Sequence, residues 1–228
     1  MVQAPVITID GPAGSGKGTV SQRVATKLSW HILDSGALYR LVAHAAMEKG
    51  CTFDDVDQLA DIARNLEVSF LPEEGGVLRV ILEGADVSSA IRSERTGEAA
   101  SKVAVVSAVR EALLERQRAF AELPGLVADG RDMGTAIFPD ASLKIYLTAS
   151  AEVRAQRRLK QLKDHGLSAN LAGLVSDIQE RDARDMNRDH SPLRPAEDAH
   201  IVDTSALSID EVVSEVLRLY ESRKSSLA

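Results

Sequence analysis

Nine consecutive residues near the start of the chain could do chemistry: Gly11, Pro12, Ala13, Gly14, Ser15, Gly16, Lys17, Gly18 and Thr19. Glycines let a backbone curl until successive N–H groups point inward, and such a row of donors cradles phosphate oxygens. Lys17 adds a point charge suited to the β- and γ-phosphates of a nucleoside triphosphate, and a helix starting here adds the positive end of its dipole. The stretch therefore predicts a nucleoside triphosphate site, with Thr19 as a candidate magnesium ligand. The hydroxyl residue that usually follows the lysine directly stands one place later, after Gly18.

A phosphate loop is shared by kinases, switches and motors, so a second ligand has to be read elsewhere. Asp34-Ser-Gly-Ala-Leu-Tyr-Arg40 puts a carboxylate that could hold magnesium shortly before an arginine that could grip a phosphate; an ordinary helix start capped by Ser35 fits the same residues. Asp129-Gly-Arg-Asp-Met-Gly134 follows an apolar run, where the carboxylate partner of a phosphate loop usually sits. Arg131 suits a phosphate through its two-pronged geometry. An ionised Asp132 only accepts hydrogen bonds, which suits the exocyclic amino group of cytosine. An Asp–Arg turn contact explains the pair equally simply. Arg181, Arg184, Asp185 and Arg188 fall at i, i+3, i+4 and i+7, which stacks three guanidiniums and a carboxylate on one helical face. That is either a solvated ion-pair ladder or a grip on a polyphosphate. Arg154, Arg157 and Arg158 form a second cluster, read as part of a lid over ATP from 154 to 166 or as an exposed basic helix.

These residues need a frame. Apolar runs at 6–9, 126–129 and 143–147 predict buried strands, and 31–33 and 201–202 predict further short strands. Helical spacing follows the phosphate loop at Val20, Val24 and Leu28 and continues from Gly36 to Gly50. Further helices are expected from about 56 with Asp54 or Asp55 as cap, at 96–121, 151–165 and 171–187, and after the capping box Ser208-Ile-Asp-Glu211. Alternating strands and helices imply an α/β fold of the phosphate-loop NTPase type: a parallel sheet with helices on both faces and the ligand beyond the carboxyl ends of the strands. Short runs at 66–70, 78–82 and 86–88, split by turn residues, predict a small antiparallel insert over about 66–90. The organisation expected is one domain, 1–228. Its core is 1–34, 122–152 and 190–228; 35–121 is an acceptor-binding part with the insert, and 153–189 a lid and following helix.

The 228 residues carry a net charge of −7, which disfavours a general nucleic-acid binder. With 44% hydrophobic residues and no long apolar run, neither disorder nor a membrane span is expected. The single cysteine, Cys51, and the absence of a basic, apolar leader at the first residues point to a cytoplasmic protein. The five histidines show no metal-ligand spacing.

Together, the loop from Gly11 to Thr19, Asp34-Ser-Gly-x-x-Tyr-Arg40, Asp129-Gly-Arg-Asp-Met-Gly-Thr135 and Arg181-Asp-x-Arg-Asp-x-x-Arg188 closely resemble bacterial cytidylate kinases, over almost the whole chain from Val6 to about Tyr220. The resemblance implies transfer of the γ-phosphoryl group of ATP to CMP or dCMP with magnesium, by a monomer. It implies that Ser101, Arg110 and Asp132 contact the cytosine ring, and that Arg40, Arg131 and Arg188 hold the acceptor phosphate. Ser35 and Asp185, with Arg181, would reach the acceptor's sugar or neighbouring groups. Lys17, Arg131, Arg188, Asp129 and Asp34 would serve catalysis, with Thr19, Asp34 and Asp129 around the metal. Nothing in the spacing of Ser101 and Arg110 alone marks them. Rival expectations are a kinase for UMP, AMP or shikimate, a regulatory nucleotide-binding module, or a GTPase. The last commonly needs Asn-Lys-x-Asp, and Asn65, Asn170 and Asn187 are followed by Leu, Leu and Arg.

Overall fold

The computed structural model describes residues 4–72, 78–164 and 168–227. The expected tip of the insert (73–76) and end of the lid (165–166) lie outside them. The chain divides into two compact units, one of Met1–Asp34 with Arg118–Ala228 and one of Ser35–Gln117.

In the first unit the β-branched run Val6–Asp10 forms strand β1, buried along its whole length. Strands β2 (His31–Asp34), β6 (Leu126–Gly130), β7 (Leu143–Thr148) and β8 (His200–Asp203) join it in one parallel sheet of order β2-β6-β1-β7-β8. Burial of every residue of β1 and β6 means that both faces of the sheet centre are covered, as parallel sheets require. On one face Ile7, Ile9, Val127, Ile145 and Leu147 pack with Val20 and Val24 of helix α1 (Lys17–Leu28) and Val212, Val213 and Val216 of helix α8 (Ile209–Leu227). Burying one such aliphatic side chain contributes roughly 1.5–3 kcal/mol, so a dozen of them hold the strand ends firmly. The capping box at the start of α8 forms as expected: Ser208 Oγ accepts from the Glu211 N–H at 3.3 Å and Glu211 Oε2 accepts from the Ser208 N–H at 2.8 Å.

The second unit contains helices α2 (Ser35–Glu48), α3 (Val56–Arg64), α4 (Glu94–Val103) and α5 (Ser107–Arg118, whose last residue falls in the first unit). It also holds an antiparallel sheet of order β3-β4-β5, from Val68–Pro72, Leu78–Leu82 and Ala85–Asp86. α2 packs against α3 and α4. Asp55, rather than Asp54, caps α3 by accepting the Gln58 N–H at 3.0 Å.

Four expectations change. The helix expected at 96–121 is two helices, α4 and α5, broken at 104–106. Val105 and Val106 are β-branched and resist the helical state, while Val103, Val109 and Leu113 are buried on either side and keep the apolar period running through the break. The first insert strand lies two residues further on than expected, at Val68–Pro72, and the last is only the pair Ala85–Asp86. The loop after β6 contains a single π-helical turn, Met133–Ile137. Finally, helix α7 (Leu171–Met186) stops at its cap Asn187, so Arg188 lies beyond the helix. The single face of three guanidiniums expected from the spacing is therefore not formed.

Candidate active site

Three carboxylates gather at the carboxyl ends of the neighbouring strands β2, β6 and β1. Asp34 ends β2 opposite Asp129 of β6, and Asp10 ends β1 opposite Gly130. The phosphate loop follows β1 directly. Gly11 has φ 152°, and a Cβ there would stand 2.2 Å from the Leu147 carbonyl oxygen, so only glycine lets the chain turn past β7. Ser15 Oγ is buried with no hydrogen-bond partner among the described residues. α1 begins at Lys17, leaving its first N–H groups without intrahelical acceptors, at the positive end of the helix dipole. The departure at Gly18 has a local reason: a Cβ at that position would come within 3.3 Å of Asp129 Oδ2.

Lys17 Nζ donates to the Pro12 carbonyl at 3.2 Å, so the lysine folds back over its own loop. Burial and the neighbouring Arg131 and Arg181 push its pKa down to about 8, against the pull of Asp129 and Asp34. Thr19, Asp34 and Asp129 offer only hard oxygen donors, the chemistry magnesium takes when it is held by one or two carboxylates together with phosphates. Among the described residues there is no cluster of three or more His, Cys, Asp or Glu side chains fit to hold a metal by themselves.

The segment after β6 is drawn in towards the same strand ends. Arg131 Nε donates to Asp185 Oδ2 at 2.9 Å. Burial alone would raise the Asp185 pKa, but Arg131, Arg188 and Arg181 around it hold the carboxyl below its ordinary value. Arg188 is buried, and its Nε donates to the Asp185 carbonyl at 3.1 Å, capping the end of α7. Asp132 is buried. Arg131, Asp185 and Arg188 are thus brought together.

Helix α6 (Ala151–Asp164) carries the other arginines. Arg154 is 4% exposed; its guanidinium pairs with Asp182 of α7 through both nitrogens and donates to the Ala13 carbonyl at 3.1 Å, with Nε on the Ala149 carbonyl at 3.0 Å. Arg157 donates to the Thr204 carbonyl, to Thr204 Oγ1 at 3.0 Å and to the Ser15 carbonyl at 3.4 Å. Arg158 reaches Gln161 on its own helix at 3.3 Å. Arg154 and Arg157 therefore brace the backbone of the phosphate loop. Asp182 and Thr204 were not singled out from the sequence, because their partners lie 28 or more residues away. The one sequence signal was an acid among the arginines of α7.

In the second unit Ser35 starts α2 and is buried, as is Ser101 on α4. Arg40, on α2, is partly buried. Arg110 of α5 donates to the Ala104 carbonyl at 3.3 Å and lies 5.7 Å above the Tyr39 ring, a cation–π contact. The break between α4 and α5 thus supplies the carbonyl that fixes Arg110.

With this geometry in place, the comparisons are direct. Residues 7–222 match the family model for cytidylate kinase. The chain belongs to the cytidylate kinase family. A cytidylate kinase of Vibrio parahaemolyticus is 57% identical over 97% of each chain. One from Marinomonas sp. is 58% identical over 94% of each chain, and one from Shewanella loihica 56% identical over 94% of each. Within the family match lie the phosphate loop, the π-turn segment, both arginine-bearing helices and the whole second unit. Among the described residues no helix is long and apolar enough to cross a membrane.

Proposed function

We propose that this chain transfers the γ-phosphoryl group of ATP to CMP or dCMP, giving ADP and CDP or dCDP, in pyrimidine nucleotide metabolism. The observation that carries the proposal is membership of the cytidylate kinase family over residues 7–222, with relatives of that name at 56–58% identity. The parallel sheet supports it by placing Asp34, Asp129 and the phosphate loop at the same strand ends. We assign ATP to the loop from Gly11 to Thr19 with Lys17, and to Arg154, Arg157 and Arg158 in a lid over 154–166, with 153–189 as the lid and the helix that follows it. CMP falls to Ser35, Arg40, Ser101, Arg110, Arg131, Asp132, Arg181, Asp185 and Arg188.

The chain's work is electrostatic and positional. Loop amides and Lys17 take the triphosphate oxygens and stabilise charge as the γ-phosphoryl group moves. Arg131 and Arg188 hold the acceptor phosphate, both already oriented by Asp185. Asp132 accepts from the amino group of cytosine, which distinguishes it from uracil. An acceptor phosphate is ionised near neutral pH, so no strong general base is needed. Thr19, Asp34 and Asp129 would hold magnesium, which when bound supplies a compact double positive charge beside the phosphate oxygens. An acidic chain with one cysteine suits work in the cytoplasm away from nucleic acid; that it works as a monomer is carried over from the family resemblance alone.

The test is ADP formation from ATP with CMP, dCMP, UMP, AMP and shikimate offered separately. CMP and dCMP should give the highest kcat/KM. A preference for AMP or shikimate, or no turnover with any acceptor, would refute the proposal.

A further inference from the structure

The Asp10 carboxylate holds the segment that carries Arg131 and Asp132. It is buried at 5% exposure, at the end of β1 and directly before the phosphate loop. Its Oδ1 accepts the Met133 N–H and its Oδ2 the Gly134 N–H, both at 2.8 Å, across 123 and 124 residues of sequence. One carboxylate thus grips two successive amides at the start of the π-helical turn. On the other side, Gly130 is fixed by its register with Asp10 in the sheet. Arg131 and Asp132 are therefore a dipeptide stretched between two anchors, both on the same residue of β1. Asp132 takes φ −146° and ψ 23°, outside the usual strand and helix regions, so the anchors rather than a regular element set its direction. Close packing leaves little room to shift: a Cβ at Gly134 would stand 2.9 Å from Thr8 Oγ1. Burial, with Asp132 and Asp129 nearby, pushes the Asp10 pKa up to about 7 against the pull of the two amides, so an uncharged residue would avoid a cost that this carboxylate incurs.

We infer that Asp10 is a positioning residue for the acceptor: it aims Asp132 and Arg131 at the cytosine ring and phosphate of CMP by clamping the Met133 and Gly134 amides. The inference rests on the function proposed above. It makes the carboxyl end of β1 a shared support, with the donor's loop growing from Gly11 and the acceptor's reader hanging from Asp10.

The experiment compares wild type, Asp10→Asn and Asp10→Glu in steady-state assays that vary ATP, CMP and UMP, with thermal melting as a check on folding. Asparagine keeps one acceptor oxygen but turns an NH2 towards the other amide; glutamate keeps the charge but carries it past both amides. Both variants should lose about 10- to 100-fold in kcat/KM for CMP, the scale of a lost charge-assisted hydrogen bond and a misplaced reader. KM for ATP should stay within about threefold, since the loop amides themselves are untouched. Preference for CMP over UMP should fall, because Asp132 no longer meets the amino group squarely. Equal losses for ATP and CMP, unchanged CMP use, or failure of both variants to fold would reduce Asp10 to a structural strut and overturn the inference. A wild type inactive on CMP overturns the proposed function and this inference with it; an active wild type with CMP-competent variants overturns this inference alone.

Discussion

In the phosphate loop the groups assigned to an anion belong to the backbone, whereas along α6 and α7 the candidate groups are guanidiniums on long side chains. The loop's course is set locally, because Gly11 turns where no other residue fits and α1 starts at Lys17. The arginines answer to protein partners: Arg154 to Asp182 and Ala13, Arg157 to Thr204 and Ser15, Arg131 to Asp185. A backbone cradle is written in contiguous residues. An arginine's duty depends on which carboxylates and carbonyls the fold brings to it, and here two of them, Arg154 and Arg157, hold the cradle's walls.

Removing the loop's charge should have the largest effect. Lys17→Ala is expected to lower kcat about 10³-fold, the scale of losing a preorganised charge at the transferring group, with little change in melting temperature. Wild-type turnover in that variant would erase the contrast between loop and arginines. On the arginine side the larger effect should be on stability. Asp182→Ala leaves Arg154 buried without its carboxylate and should cost about 3 kcal/mol in urea unfolding, whereas a change under about 0.5 kcal/mol would make the pair an ordinary surface contact. Asp132→Ala should reduce kcat/KM for CMP about 10-fold or more while KM for ATP moves less than about threefold; equal losses would remove Asp132 from base reading.

Close to pH 8, where about half of Lys17 is still charged, the effect is the smallest, about twofold, and it separates the two regions by pH. Lys17 is lowered from 10.5 to about 8, while arginines stay charged throughout. kcat/KM for ATP should therefore fall about tenfold per pH unit above 8. Stability should move the other way: between pH 8 and 10.5 the unfolded chain binds the lysine proton more tightly than the folded one, so this group's contribution rises with pH. A flat rate profile from pH 7 to 10 would take Lys17 out of triphosphate binding.

Much of the fold was legible because its signals are local. The five strands of the parallel sheet, the capping box at Ser208 and the glycine-rich turn each lie within a few residues, although only β1, β6 and β7 are buried and the edge strands β2 and β8 are largely exposed. The break at 104–106 was hidden by an apolar period that runs through it. The end of α7 was hidden because Arg188 sits at helical spacing from Arg181 although the chain has already left the helix. The long-range partners of the arginines were barely legible, with only the acids among the arginines of α7 as a signal: Ser15 lies 142 residues from Arg157, and Asp185 lies 54 from Arg131. The π-turn after β6 likewise depends on an acceptor 123 residues earlier, so nothing near Met133 announces it.

The central claim, that the loop delivers the γ-phosphoryl group of ATP directly to a cytidine monophosphate, is tested most directly by a single turnover with γ-labelled ATP and CMP. The label should pass into CDP at the rate ADP appears, with none trapped on the protein and none released as inorganic phosphate. Label on the protein, or in inorganic phosphate while CMP stays unchanged, would contradict it.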